Sequence, residues 1–172
     1  ARYLVRSKIQ PLDFLKSDYR TGAATAAYFL MLRKNQPKYL LNGHNMMLDN
    51  HTSVSNRKDR HHIFPAALLR RQKINNKWIN SVANICYLAS DENQSISDDH
   101  PCVYLLNFKK KQHFSRVMKN HLIPYQSTSP IWSRSRDAYL LFLNIRGKEV
   151  LKSIEKHAGT ILFEKFEGIK RI

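Results

Sequence analysis

Apolar positions in the first third of the chain recur at helical spacing. Within Asp13 to Lys34, Ala24, Ala27, Tyr28 and Met31 share a face, Asp18 or Thr21 stands where a cap is needed, and the helix must end before Pro37. Tyr39 to Leu41 then meets Asn42-Gly43, a turn signal, and the polar run 49–56 reads as a loop. From residue 60 the period shortens. Arg60-His61-His62-Ile63-Phe64 predicts a short strand closed by Pro65, Ala66 to Lys73 a helical turn or two starting at that proline, and Asn75-Asn76 a loop. Ile85 to Leu88, rich in aromatic and branched residues, predicts a second strand. Ser90 reads as the cap of a helix with Asp91 and Glu92 in its first turn, broken by Asp98-Asp99-His100-Pro101. Cys102 to Asn120 predicts a longer helix. After a polar stretch over 124–135, Arg136 to Ile145 predicts another, interrupted at Gly147 and resumed from Glu149 to His157. The tail 160–172 follows no period.

The pattern predicts an α+β class, mostly helical, with one strand pair. A lone hairpin is marginal in water and needs a helix packed on it. The Ser90 helix is placed to supply one, which predicts a ββα unit between helical surrounds at 1–56 and 109–172. All three stretches fit one domain, expected to be a piece of a longer protein. Two cysteines, Cys86 and Cys102, are too few and too far apart for a CxxC metal site or a disulfide framework. A reducing, cytoplasmic setting is expected, Cys86 being a buried small residue. No run of 18 apolar residues predicts a membrane span.

Charge adds direction. The 172 residues carry a formal +16, and its layout is uneven. Residues 57–77 have a net +6, 91–100 a net −4, and 109–119 carry +5 with no acid. Basic blocks on either side of an acidic one suit a polyanion partner, with salt-dependent affinity. Solubility alone is the plainer account of any single lysine.

His61 and His62 are neighbours on a strand, so their side chains point to opposite faces. One can bind a metal while the other, with an ordinary pKa near 6.5, accepts a proton from water. Asn93, in the first turn of the next helix, offers an amide oxygen to a hard divalent ion, and Asp59, two residues before His61, offers a third donor. Each residue separately has a commoner explanation: a chance His pair, a cap, a turn. His100, seven residues past Asn93, is a weaker ligand candidate.

Asp59-Arg60-His61-His62-Ile63-Phe64-Pro65, then Asn84-Ile85, then Asn93, resembles the HNH (ββα-metal) nuclease pattern. Ser90 through Pro101 is similar to the matching part of the HNH domain in RNA-guided CRISPR endonucleases. HHIFPAALL followed by INSVANICYLASDENQSISDDHPCVYL resembles more closely the C-terminal nuclease region of GmrSD-type restriction and phage-defence proteins. The likeness is firm over about 57–108, the expected nuclease core, and looser in the helical surrounds.

What the resemblance implies is a metal-dependent DNA endonuclease or nickase, the effector module of a defence protein. It implies His61 and Asn93 as ligands of Mg²⁺ or Mn²⁺, His62 as general base and Asn84 as the structural residue that holds it. The expected products carry a 5′ phosphate and a 3′ hydroxyl. Oxygen from Asn93, where several such enzymes have a histidine, favours the harder ions. Longer relatives carry an N-terminal nucleotide-hydrolysing sensor, and no GxxxxGK[ST] motif occurs here.

Arg57, Lys58, Arg60, Arg70, Arg71, Lys73, Lys109, Lys110 and Lys111 are candidate contacts to the backbone of double-stranded DNA. Trp78, Phe108, Phe114 and Phe142 read as core, and Trp132 as core or as an exposed stacking residue. Two other functions compete: a non-catalytic DNA-binding module with a degenerate HNH unit, and a ribonuclease using the same site.

Overall fold

The computed structural model describes residues 8–46, 60–96 and 98–172. In chain order these form α1 (Pro11–Leu15), α2 (Ala23–Lys34), β1 (Arg60–His62), α3 (Ala66–Arg71), α4 (Asn76–Ile79), β2 (Ile85–Tyr87), α5 (Ser90–Ile96), α6 (Pro101–Lys109), α7 (Phe114–Asn120) and α8 (Arg136–Ala158). Short 3₁₀ turns occupy Val82–Asn84 and Pro130–Trp132. Strands β1 and β2 pair antiparallel, with Arg60 opposite Tyr87, His61 opposite Cys86 and His62 opposite Ile85. The fold is therefore α+β, a small two-stranded sheet within a helical body. No helix among the described residues is long and apolar enough to cross a membrane.

Helix α8 is the central rod. Its inward stripe, Tyr139, Phe142, Leu143, Val150, Leu151 and Ile154, is buried. The expected interruption at Gly147 does not occur: the helix continues through it for 23 residues. The glycine serves packing instead, because a Cβ there would lie 2.9 Å from the buried Leu15 side chain. Helix α8 ends where Gly159 adopts φ 68°, a left-handed C-cap that suits glycine. Phe64, just after β1, meets Tyr139 and Phe142 at centroid distances of 5.1 and 4.9 Å. Burial of a phenyl ring in such a cluster contributes about 3–5 kcal/mol.

Arg146 has none of its surface exposed. Its Nη1 donates to Ala83 O at 2.7 Å, its Nε to Leu122 O at 3.2 Å, and its Nη2 to His121 O and the Tyr28 hydroxyl at 2.9 and 2.8 Å. The Tyr28 hydroxyl donates onward to Ile85 O. All four oxygens that Arg146 meets are neutral, so this is a buried cation dissolved in carbonyl groups. Two of them follow the C-terminus of α7, where exposed carbonyls concentrate negative potential. One side chain thereby joins α8, α7, α2 and the turn entering β2.

Several helical boundaries differ from those the pattern predicts. The helix-prone stretch Asp13 to Lys34 holds the end of α1 and all of α2, and neither Asp18 nor Thr21 caps α2. Gly22, at φ 101°, precedes it, and Asp18 instead accepts from Arg20 N and Nε. Asn75 does not open a loop: its side chain accepts from Lys77 N at 2.9 Å and caps α4. Cys102 to Asn120 breaks over 110–113 into α6 and α7. There His113 packs against Gly43 and its Nε2 meets Leu40 O at 3.1 Å, a long-range contact invisible to local periodicity. Helix α5 starts at Ser90 itself, leaving Ala89 at the cap position. The loop expected at 49–56 lies outside the described residues, as do Asp59, Arg57 and Lys58.

Candidate active site

Strand geometry separates the two histidines. Directly opposed residues of an antiparallel pair share a face, so His61 lies with Cys86. Cys86 is buried and feels the charges of Arg146 on α8 and of Glu92 on α5. His61 shares that face of the hairpin, and its Nε2 is shielded from solvent. Burial pushes the Cys86 thiol up to about 12, so it stays protonated and unreactive.

His62 turns to the other side. Its ring meets Tyr19 edge-on at 5.1 Å, and its Nε2 lies 3.2 Å from Asn80 Oδ1. An amide oxygen only accepts, so Nε2 carries the proton and Nδ1 keeps the lone pair. Partial burial holds the His62 pKa below its usual value, the Asn80 bond opposes that, and the charges of Arg70 and Arg20 lower it further. The ring is neutral at pH 7. The platform beneath it is built from the turn after α1: Tyr19 N donates to Asn80 O at 3.3 Å, and Arg60 Nη1 donates to Tyr19 O at 3.2 Å.

Asn84 fixes the chain that follows His62. Fully buried, it accepts from Phe64 N at 2.9 Å and donates from Nδ2 to Phe64 O at 3.1 Å and Ile79 O at 3.0 Å. Its own carbonyl accepts from Ile63 N at 2.7 Å. The Tyr104 hydroxyl donates to Ile63 O at 2.7 Å. The backbone from 63 to 64 is therefore held on both sides, and with it the orientation of β1.

Asn93 is half-buried in the first turn of α5, its N–H bonded to Ala89 O at 2.9 Å. Glu92 beside it is buried and structural: Oε2 accepts from Ala89 N at 3.0 Å, and Oε1 from Leu41 N at 2.6 Å. The first bond is the reach-back half of a capping box. The second ties α5 to the loop after α2. His100 is a cap as well, its Nδ1 accepting from Cys102 N at 3.2 Å at the start of α6. No group of three or more His, Cys, Asp or Glu side chains poised for a metal occurs among the described residues.

The basic candidates divide. Arg70, Arg71 and Lys73 are exposed beside β1, though Arg71 pairs with Asp98 at 2.8 Å. Arg60 is drawn inward, its guanidinium 4.1 Å over the Phe29 ring, and serves the fold. Lys111 donates to Leu41 O at 2.7 Å, and Lys109 lies 4.6 Å over Trp132; Lys110 is exposed. Trp132 is half-buried, its indole N–H donating to Tyr125 O and Gln126 O, which rules out a free stacking ring.

Three residues at the site escape the sequence: Asn80, Tyr19 and Arg20. Asn80 sits between Ile79 and Ser81 with nothing local to mark it, and Tyr19 and Arg20 are some forty residues upstream of β1. No family model, curated protein or solved structure matches this chain.

Proposed function

We propose that this chain is a divalent-metal-dependent endonuclease of the ββα type that hydrolyses phosphodiester bonds of DNA, the effector module of a restriction or phage-defence protein. The observation that carries this reading is the division of β1: His61 and His62 on opposite faces of the hairpin, with the backbone that follows them clamped by Asn84. The half-buried His62 imidazole near the charges of Arg70 and Arg20 supports it.

The donor types suit a hard ion. His61 on β1 and the Asn93 amide oxygen on α5 would be its ligands, with Asp59, outside the described residues, as a further candidate. A small ligand set suits Mg²⁺ or Mn²⁺, which keep several water positions for substrate oxygens. When bound, such an ion stabilises charge on the leaving oxygen. His62 takes the proton of the attacking water at Nδ1, while Asn80 holds Nε2–H and so fixes the tautomer. General-base catalysis of this kind contributes about 10²–10⁴-fold. Arg20 and Arg70 grip the phosphate; burial first, and their charges second, hold the imidazole pKa down beforehand.

Supercoiled plasmid incubated with Mg²⁺, Mn²⁺ or EDTA tests the reading. Wild type is expected to nick or linearise DNA with metal only, and His62→Ala to lose at least about 100-fold of that rate. Equal activity in EDTA, or an unimpaired His62→Ala, overturns the mechanism. Cleavage confined to RNA in a parallel digestion assigns the site to a ribonuclease. Tight DNA binding without cleavage assigns the chain to a non-catalytic module.

A further inference from the structure

A groove of about 490 Å³ lies between α1, Trp78 of α4 and the C-terminal segment 165–171. Lys16, Lys165, Lys170 and Arg171 line it, against one acid, Glu167. None of these four cations forms an ion pair among the described residues. Like charges converging on one concavity repel, and within the chain only the Lys16 contact with the Trp78 ring offsets that among the described residues. A polyanion in the groove offsets the rest.

The tail that carries three of those cations has no secondary structure, yet it is held in place. Glu155 Oε1 accepts from Leu162 N and Phe163 N at 3.0 Å each, and Phe163 bridges to Ile9. Asn144 accepts from Ile169 N at 2.5 Å and donates to Ile169 O at 3.0 Å. Gly168, at φ 94°, lets the chain pass so close to Asn144 that a Cβ would stand 3.0 Å from its Oδ1. These clamps fix the backbone and leave Lys165, Lys170 and Arg171 exposed along the groove.

The groove also adjoins His62. Residues 15–20 run alongside 78–81: Ser81 Oγ donates to Leu15 O at 2.6 Å, Asp18 bridges to Ser81, and Tyr19 N bonds to Asn80 O. Lys16 lies 5.2 Å over Trp78 at the groove end of this segment, and Arg20 acts on His62 at the other. Four residues of chain span at most about 14 Å between Cα atoms. At 3.4 Å per nucleotide along one strand, that is within about four nucleotides.

We infer that this groove takes the phosphate backbone of nucleic acid on one side of the cleaved bond, so that the strand runs from His62 across Lys16 to the C-terminal segment. The inference rests on the nuclease reading for the position of the cut, and on the groove's own charge for the binding. It places the track away from the mid-chain block 109–119, two of whose lysines are occupied by Leu41 O and Trp132.

The test is fluorescence anisotropy of a labelled DNA duplex, a single strand and an RNA of the same sequence, in EDTA and over a range of KCl. The protein is the full chain, the combined Lys165→Glu, Lys170→Glu, Arg171→Glu variant, and a control of equal charge change, Lys110→Glu, Arg116→Glu, Lys119→Glu. The tail variant is expected to weaken binding roughly 30-fold or more near 0.1 M salt and to flatten the log K against log salt slope by about 2–3. The control is expected to change the slope by about 1 or less. The corresponding Lys→Gln and Arg→Gln tail variant, with an unchanged melting temperature, is expected to show about half of that loss and so excludes misfolding as its cause.

An equal loss in the control overturns the groove, since only net charge then matters. So does anionic lipid vesicle binding as tight as nucleic-acid binding and equally sensitive to the tail variant. Unchanged binding by a tail variant of a protein that still nicks plasmid overturns the groove and leaves the nuclease. Tail-dependent binding by a protein that never cleaves overturns the nuclease and leaves the groove.

Discussion

The layer around Arg146 and the rim around His62 both gather nitrogen bases, and they treat them oppositely. Arg146 is fully enclosed and gives its donors to four neutral oxygens. His121, whose carbonyl is one of them, is 2% exposed, and its Nε2 meets Lys38 O at 3.0 Å. Around His62, by contrast, Arg70 and the Asp18-paired Arg20 remain exposed, and four more cations in the adjoining groove form no ion pair among the described residues. A cation saturated inside the protein has nothing left for a ligand. One left unsaturated at the surface adds little to stability and is free to bind. The sum of +16 conceals that distinction.

The comparison breaks most sharply at Arg146. Arg146→Met removes a buried cation and leaves three carbonyls and the Tyr28 hydroxyl without their donor, and is expected to cost about 3–5 kcal/mol in denaturant unfolding. Arg146→Lys, which keeps the charge but not the fork of donors, is expected to recover less than half of that loss. Recovery to wild-type stability by lysine shows that charge, not geometry, holds the layer.

His121 offers a second probe, through pH. Burial holds its pKa down to about 4, against an ordinary value of 6.5, the Lys38 carbonyl opposing the shift and Arg146 adding to it. Between those values the unfolded chain takes up a proton that the folded chain refuses. The stabilising contribution is complete above pH 6.5 and is lost as pH falls towards 4, a decline of about 3 kcal/mol. Unfolding free energies measured from pH 7 to 4 are expected to show that slope, and His121→Gln to flatten it. An unchanged slope in the variant assigns the acid sensitivity to other groups.

Asn84 joins the two regions and gives the smallest of the three effects on stability. Asn84→Ala strands Phe64 N–H and two carbonyls in the core, for an expected cost of about 2–3 kcal/mol. If Asn84 also orients His62, plasmid nicking at a temperature where the variant is folded falls by more than its folded fraction does. A loss matching the folded fraction alone makes Asn84 purely structural.

The strand pair and α5 were legible because branched and aromatic residues, Pro65 and the acids after Ser90 act locally, though Ala89 rather than Ser90 stands at the cap position. So was the burial of Cys86 and of Trp78, Phe108, Phe114 and Phe142. The helix-prone stretch Asp13 to Lys34 divides because Leu15, Asp18 and Tyr19 are drawn against Asn80 and Ser81, a pairing no local period encodes. The break expected at Gly147 fails for the opposite reason: packing against Leu15 makes the absence of a side chain useful. His61, His62, Asn84 and Asn93 were legible as a motif, and Asn80 was not, since its partner lies 18 residues away. Nothing local in the sequence sets Arg146 apart from the other bases of α8. Only the carbonyls supplied by three other segments give it its place.

Helix α8 has a consequence of its own. Tyr139 bonds to Trp78 O, Phe142 packs on Phe64, Asn144 holds the tail at Ile169, Arg146 joins the buried layer, and Glu155 anchors Leu162 and Phe163. One rod thus indexes the histidine platform, the core and the groove wall at fixed offsets along a single axis. Each residue added to or deleted from it turns everything beyond by about 100° and shifts it by about 1.5 Å. Descendants of this chain can exchange side chains along α8 one at a time, but they cannot alter its count. The number of residues between Tyr139 and Glu155 is as much a part of the protein's specification as their identities.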